Sequence, residues 1–337
     1  MRVFLPKTAL ALSATLALSA CAAAGLGDAA ELSSAGSQAS TKLLGASQTV
    51  ESAFRSSVTD DRFLVALQSS AVPNGTGCSL MNSGPASPGS ARPSGIPKAS
   101  IDRIEAALHA RTELAAGLGK TYSAMNALAT YDAGGAVESG LTDVFGATNT
   151  LRENVGLAPV SNSLTTVVPI LGGALVQHRQ LVRLKRASAR IRLALGYYKE
   201  ALEHGRSGTV STVKDSIGET YALQIALWRR GYLDANGFLA DAGESSGLTV
   251  PTADNVRLTA ADPALCAGVR AALEGKRDEL RDAVADEYDA QIDIVEELIV
   301  AHEKFEKGAP VDAAHLAALL SRLTEIAQKI GGKKDAS

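Results

Sequence analysis

Residues 262–310 read "DPALCAGVRAALEGKRDELRDAVADEYDAQIDIVEELIVAHEKFEKGAP". Asp262 is a good capping residue, and Pro263 suits the first helical position, where a missing N–H leaves nothing unpaired. Beyond them Leu273, Leu280, Val284, Ile294, Leu298 and Phe305 fall on one heptad-like stripe, widened by Ile292, Val295 and Ile299. Gly308 and Pro310 mark the stop. The stretch predicts one long amphipathic helix. Such a helix cannot bury its stripe alone, so it needs helical neighbours.

The same periodicity recurs along the chain. From Thr41, Leu43, Leu44, Val50, Phe54, Val58, Phe63, Leu64 and Leu67 recur at three- and four-residue steps. Ser100 is placed to cap a helix carrying Ile101, Ile104, Leu108, Leu114 and Leu118 and running to Thr130. A shorter segment covers Gly135 to Val155. Ser161 or Ser163 starts a long helix to His204, with Pro169 near its beginning, and Gly205 to Gly208 breaks it. Val210 to Leu239 forms another segment, with Trp228 as a core or flank contact. Asp312 caps a last helix through Ile330, with Leu316, Leu319, Leu320, Leu323 and Ile326 on its apolar face.

Two segments lack the pattern. Residues 72–97 are crowded with Pro, Gly and Ser and read as an exposed loop, as do 241–258. Aromatics make up 4% of the chain and strand signals are few. The expectation is an all-α, elongated antiparallel helical bundle spanning 41–332, with a frayed tail at 333–337.

The start of the chain is different. Arg2 and Lys7 form a basic opening, and Thr8 to Leu18 is an apolar run too short to span a bilayer core of about 30 Å. Small residues follow, which is the anatomy of a removable secretory signal over 1–20. The residues Leu18-Ser19-Ala20-Cys21 resemble a bacterial lipobox. The resemblance covers only the first 21 residues. It implies cleavage before Cys21 and attachment of a lipid to its thiol, hence a membrane partner through an N-terminal lipid. Ala22 rather than aspartate after the cysteine implies sorting to the outer membrane, facing the periplasm. Residues 21–40, small and polar, then read as a flexible lipidated tether.

With Cys21 lipidated, Cys78 and Cys266 remain in an oxidising compartment. An even remainder points to one disulfide, Cys78–Cys266; the alternative is two unpaired thiols. Loss of 1–20 removes Arg2 and Lys7, so 33 basic residues become 31 against 36 acidic ones. That mild acidity argues against a nucleic-acid partner.

Charge is unevenly spread between two segments. Arg179, Arg183, Lys185, Arg186, Arg190 and Arg192 lie between residues 177 and 192 with no acid among them. Twelve acids lie between Glu274 and Glu306. The two helices are expected to pack side by side with their flanks attracting; the functional alternative is a basic strip for anionic lipid or a cell-wall polymer.

No motif names a reaction. Gly-x-Ser-x-Gly, the phosphate-binding loop and His-Glu-x-x-His are all absent from the sequence. Glu105/His109 and Glu200/His204 are spaced by four, which suits surface pairing or capping better than a metal site. His302 and His315 fit surface or flank positions. No cofactor and no catalytic residue are expected. The segment Val167 to Val176, "VVPILGGALV", is a buried turn or, alternatively, a membrane-inserting element. The expected role is a non-enzymatic envelope scaffold with a protein partner. The alternatives are a cell-wall or lipid-acting enzyme with a catalytic carboxylate, and a membrane-active bundle.

Overall fold

The amphipathic stripes do assemble into helices. In the computed structural model the described residues are 8–70, 96–130, 134–161, 176–229, 263–311 and 314–331. They form six α-helices: α1 (Thr8–Ser70), α2 (Lys98–Thr130), α3 (Gly134–Val155), α4 (Val176–Arg229), α5 (Pro263–Lys307) and α6 (Ala314–Gly331). No strand occurs among the described residues. The fold is all-α, a helical bundle.

Packing divides the chain into two units. The first comprises 1–48, 106–206 and 287–325; the second comprises 49–105, 207–286 and 326–337. In the first unit Gly36 and Ser40 of α1 face Tyr122 and Gly119 of α2, so these helices run antiparallel. Arg111 and Tyr122 of α2 meet Glu287 and His302 of α5, so that pair is parallel. Ser188 and Tyr198 of α4 meet His302 and Gln291, an antiparallel pair. Hence α1 and α4 point one way and α2 and α5 the other. In the second unit Ser57 of α1 and Ser216 of α4 share a hydroxyl hydrogen bond of 2.7 Å. Thr220 donates to the Ser57 carbonyl beside them.

The helix ends follow local chemistry. Gly156 (φ 89°) and Gly308 (φ 74°) sit in the left-handed region that glycine alone enters cheaply. After each, the next N–H turns back onto the last turn: Leu157 donates to the Arg152 carbonyl and Ala309 to the Lys304 carbonyl. The stop expected at Gly308 is therefore present.

Three expectations need correction. Much of the tether over 21–40 is a packed helix: Ala29, Leu32, Ser33, Ala39 and Ser40 of α1 are buried. Ser33 and Ser40 spend their hydroxyls on the carbonyls four residues back, which lets small polar side chains enter a core. Gly205 to Gly208 does not break α4, which runs through to Arg229. Gly205 instead makes room for a neighbour, because a Cβ there would overlap Val155. Finally, α2 starts at Lys98, two residues ahead of Ser100, and the Ser100 N–H already bonds the Pro97 carbonyl. Residues 71–95, 162–175 and 230–262 lie outside the described residues. With them go most of both loops, Pro169, most of Val167–Val176 and, for its side chain, Trp228.

Close helix contact gives a first prediction. A Cβ at Gly140 of α3 would lie 2.9 Å from the Thr121 Cα and 3.0 Å from its backbone nitrogen in α2. Backbone cannot step aside as a side-chain tip can, so Gly140→Ala should cost about 1–3 kcal/mol. Gly146, exposed, has nothing within 4 Å of its Cβ position. Gly146→Ala should therefore stabilise by about 0.5–1 kcal/mol through helix propensity alone. Urea midpoints of the two variants should move in opposite directions.

Candidate functional site

The chemistry-bearing residues of the first unit gather in two buried layers. In the first, the Arg111 guanidinium donates from Nη2 to both oxygens of Glu287, at 2.9 Å each. The two side chains are 1% and 0% exposed. The guanidinium carbon also stands 4.6 Å from the centre of the Tyr288 ring, a cation–π arrangement. Gln291, one turn on in α5, donates from Nε2 to Glu287 and to the Ser47 hydroxyl. Its carbonyl oxygen accepts from the Tyr198 hydroxyl at 3.0 Å. Side chains from α1, α2, α4 and α5 are thus tied at one level. Burial works against the Arg111 charge, but Glu287, Tyr288 and Tyr198 more than offset it and hold the proton more firmly than usual. Burial pushes the Tyr198 hydroxyl above the ordinary phenol range.

The second layer centres on His302, about 16 Å along α5 from Gln291 at 1.5 Å per residue. Its Nε2 lies 2.8 Å from the Tyr122 hydroxyl and its Nδ1 2.8 Å from the Ser188 hydroxyl. Ser188 in turn donates to Glu306 Oε1 at 3.3 Å, and Arg192 grips both Glu306 oxygens at 3.0 and 3.1 Å. One assignment satisfies every group: Tyr122 donates to Nε2, Nδ1–H donates to Ser188, and Ser188 donates to Glu306. His302 is fully buried, contrary to the surface or flank position expected for it. Burial, with a smaller push from the Arg192 charge, drops its pKa to about 3.

A serine hydroxyl at hydrogen-bond distance from an imidazole is the geometry of an activated nucleophile. Here it is turned to structure. Ser188, His302 and Tyr122 are all 0% exposed, and a histidine this hard to protonate makes a poor base near neutrality. The sequence did hold a signal for His302: it lies four residues after Leu298 and three before Phe305, on the buried stripe of α5.

The expected pairing of charged flanks occurs only in part: within the basic run Arg192 takes Glu306, and the other pairs with α5 lie beyond it. Arg192 pairs with Glu306, Lys199 with Glu296 and Arg206 with Asp289 along the first unit, while Lys214 pairs with Asp282 in the second. His109 pairs with Glu113 rather than Glu105, and Glu200 takes Arg152 rather than His204. His315 is exposed, as expected. Among the described residues no group of three His, Cys, Asp or Glu could hold a metal. An open depression of about 410 Å³ in the second unit is lined by residues that include Asp215, Glu219, Arg277 and Arg281. Opposite charges share its walls.

Cys21 lies within the α1 backbone and Cys266 in the first turn of α5, with the side chains of both outside the described residues. Cys78 falls wholly outside them, and so does the Cys78–Cys266 pairing. No described helix is long and apolar enough to cross a membrane. Comparison of the chain with protein families, curated proteins and solved structures found no match.

Proposed function

We propose that the chain is a bacterial envelope lipoprotein, anchored through Cys21 in the outer membrane and facing the periplasm. Its bundle presents helical surface to an envelope protein partner and does no chemistry of its own. The observation that carries this reading is the fate of the most reactive groups. Ser188, His302 and Glu287, the side chains best equipped for catalysis, are sealed and hydrogen-bonded to other helices. Polar residues used in this way fix which helix faces meet and at what register. Among the described residues, what faces outward is mostly polar and charged helical surface, the material of a docking partner.

Two measurements test the reading. Metabolic labelling with an alkynyl fatty acid should mark the wild-type protein and leave Cys21→Ser unmarked; equal labelling of the two would remove the anchor. Crosslinking in intact cells, followed by mass spectrometry, should recover one protein in constant ratio to the chain. Recovery of glycan alone, with activity lost on changing one specific carboxylate to its amide, would replace the scaffold by an enzyme.

A further inference from the structure

The basic run at the start of α4 is only partly neutralised by α5. Arg192 is held by Glu306, and Lys185 donates to the Glu306 carbonyl oxygen. Arg179 and Arg186, half-buried and exposed respectively, meet no carboxylate among the described residues. Arg183 lies between them. These arginines belong to the first unit, and so does the start of α1.

The two helices meet there. A Cβ built on Gly25 of α1 would lie 2.9 Å from a methyl carbon of Leu181, so Gly25 and Leu181 are level. Because α1 and α4 run parallel, levels can be counted along both at 1.5 Å per residue. Cys21 stands about 6 Å beyond Gly25 toward the helix start, and Arg179 about 3 Å beyond Leu181 in the same direction. Helical side chains lean toward the N-terminus, so the arginines of α4 tilt to the side on which Cys21 sits. On α1, Asp28 and Glu31 stand about 10 and 15 Å along the helix from Cys21, farther from its level than Arg179 does. Lys304 and Lys307 close α5 at the same end, beside Glu303 and Glu306. The chain as a whole is acidic, yet among the described residues at this end Arg179, Arg183, Lys185, Arg186, Lys304 and Lys307 outnumber Asp28, Glu31, Glu303 and Glu306.

We propose that the start of α4, led by Arg179 with Arg186 behind it, is a second membrane contact that binds anionic phospholipid headgroups beside the acyl group on Cys21. The inference rests on the anchored reading above. Electrostatic attraction to a lipid surface fades within a Debye length, about 8 Å in physiological salt. Arg179, about 3 Å from the anchor level, is well within that distance, while Arg186, about 14 Å from it, contributes only through the reach and N-terminal lean of its side chain. The chemistry recognised is a phosphate diester at an interface, which guanidinium groups grip in forked hydrogen bonds. Each basic residue near an anionic surface contributes roughly a fivefold gain in occupancy. The contact would hold the bundle in one orientation on the bilayer, which a single acyl pivot leaves undefined.

The test uses the full protein as purified from membranes, reconstituted into vesicles of phosphatidylcholine alone or of phosphatidylcholine with phosphatidylglycerol at three to one. Phenylglyoxal modification is read residue by residue by mass spectrometry, with exposed Arg62 as the reference. Arg179 should react at least fivefold more slowly on the anionic vesicles, with Arg186, farther from the anchor level, slowed less, and 0.5 M NaCl should restore the reactivity of both. Equal reactivity on both vesicles overturns the proposal. The mass of the N-terminal peptide reports the lipid separately. An unmodified Cys21 with protected arginines sinks the anchor and keeps the lipid contact. A lipidated Cys21 with unprotected arginines does the reverse.

Discussion

Glu287→Leu is expected to lower stability by about 3–5 kcal/mol, the loss found when one member of a fully buried ion pair is removed. The reason lies in what stays behind. Arg111 is 1% exposed, and both of its hydrogen bonds in the pair go to Glu287 through Nη2 alone. Its Nε and Nη1 are buried without a hydrogen-bond partner. Removing the carboxylate leaves a guanidinium with the Tyr288 ring face and no counter-charge. The double variant Arg111→Met/Glu287→Leu should recover most of the loss, because apolar side chains of similar volume replace a buried pair at little net cost. Chemical denaturation of the wild type, both single variants and the double variant closes the cycle. A Glu287→Leu cost below 1 kcal/mol would mean that the pair does not form in solution. Full recovery in the double variant, with a broader transition, would show that the layer supplies register more than stability.

Acid should destabilise the protein through His302, and the sign is fixed by its surroundings. A histidine in an unfolded chain titrates near 6.5. Folded, with burial opposing the charge and Arg192 adding to the opposition, His302 titrates at about 3. Between those values the unfolded chain binds a proton that the folded chain refuses. The contribution is therefore complete above pH 6.5 and drains away as the pH falls toward 3, at up to about 1.4 kcal/mol per pH unit. The loss should be about 2 kcal/mol from pH 7 to 5 and about 4–5 kcal/mol over the whole window. His302→Gln should flatten the pH 5–7 part of the curve while lowering its plateau. The plateau falls because the amide meets Tyr122 and Ser188 less well. Equal pH slopes for the wild type and His302→Gln would place the proton uptake elsewhere.

Legibility in the sequence varied with the kind of signal. The bounds of α5 and α6 could be read because proline, apolar stripe and terminal glycine agree there, and stripe members Leu273, Val284, Ile294, Leu298 and Phe305 are buried, while the expected caps Asp262 and Asp312 lie outside the described residues. The first part of α1 was hidden because alanine, glycine and serine describe a loose linker and a tightly packed helix equally well. Only the partner decides: the large Tyr122 ring fills the space that Gly36 leaves. The same ambiguity made Gly205 read as a break. Phe63, placed on the α1 stripe by spacing, is 61% exposed. The buried layers could not be read at all, because Arg111 and Glu287 are 176 residues apart and no local rule pairs them. His302 was expected on a flank, although its place between Leu298 and Phe305 marks an inward face that the spacing alone could have shown.

The packed helix at the start of α1 also sets a reach. With the acyl group on Cys21, only the eight residues up to buried Ala29 could serve as a leash. Even with those two turns of α1 unwound and fully extended, they cover at most about 28 Å, where a twenty-residue leash would cover about 70 Å. The space such a pivot can sweep shrinks with the cube of that length, by roughly fifteenfold. An acylated bundle would be concentrated at the bilayer surface in proportion, so a partner embedded in or resting on the same membrane would meet it far more often than one that drifts free.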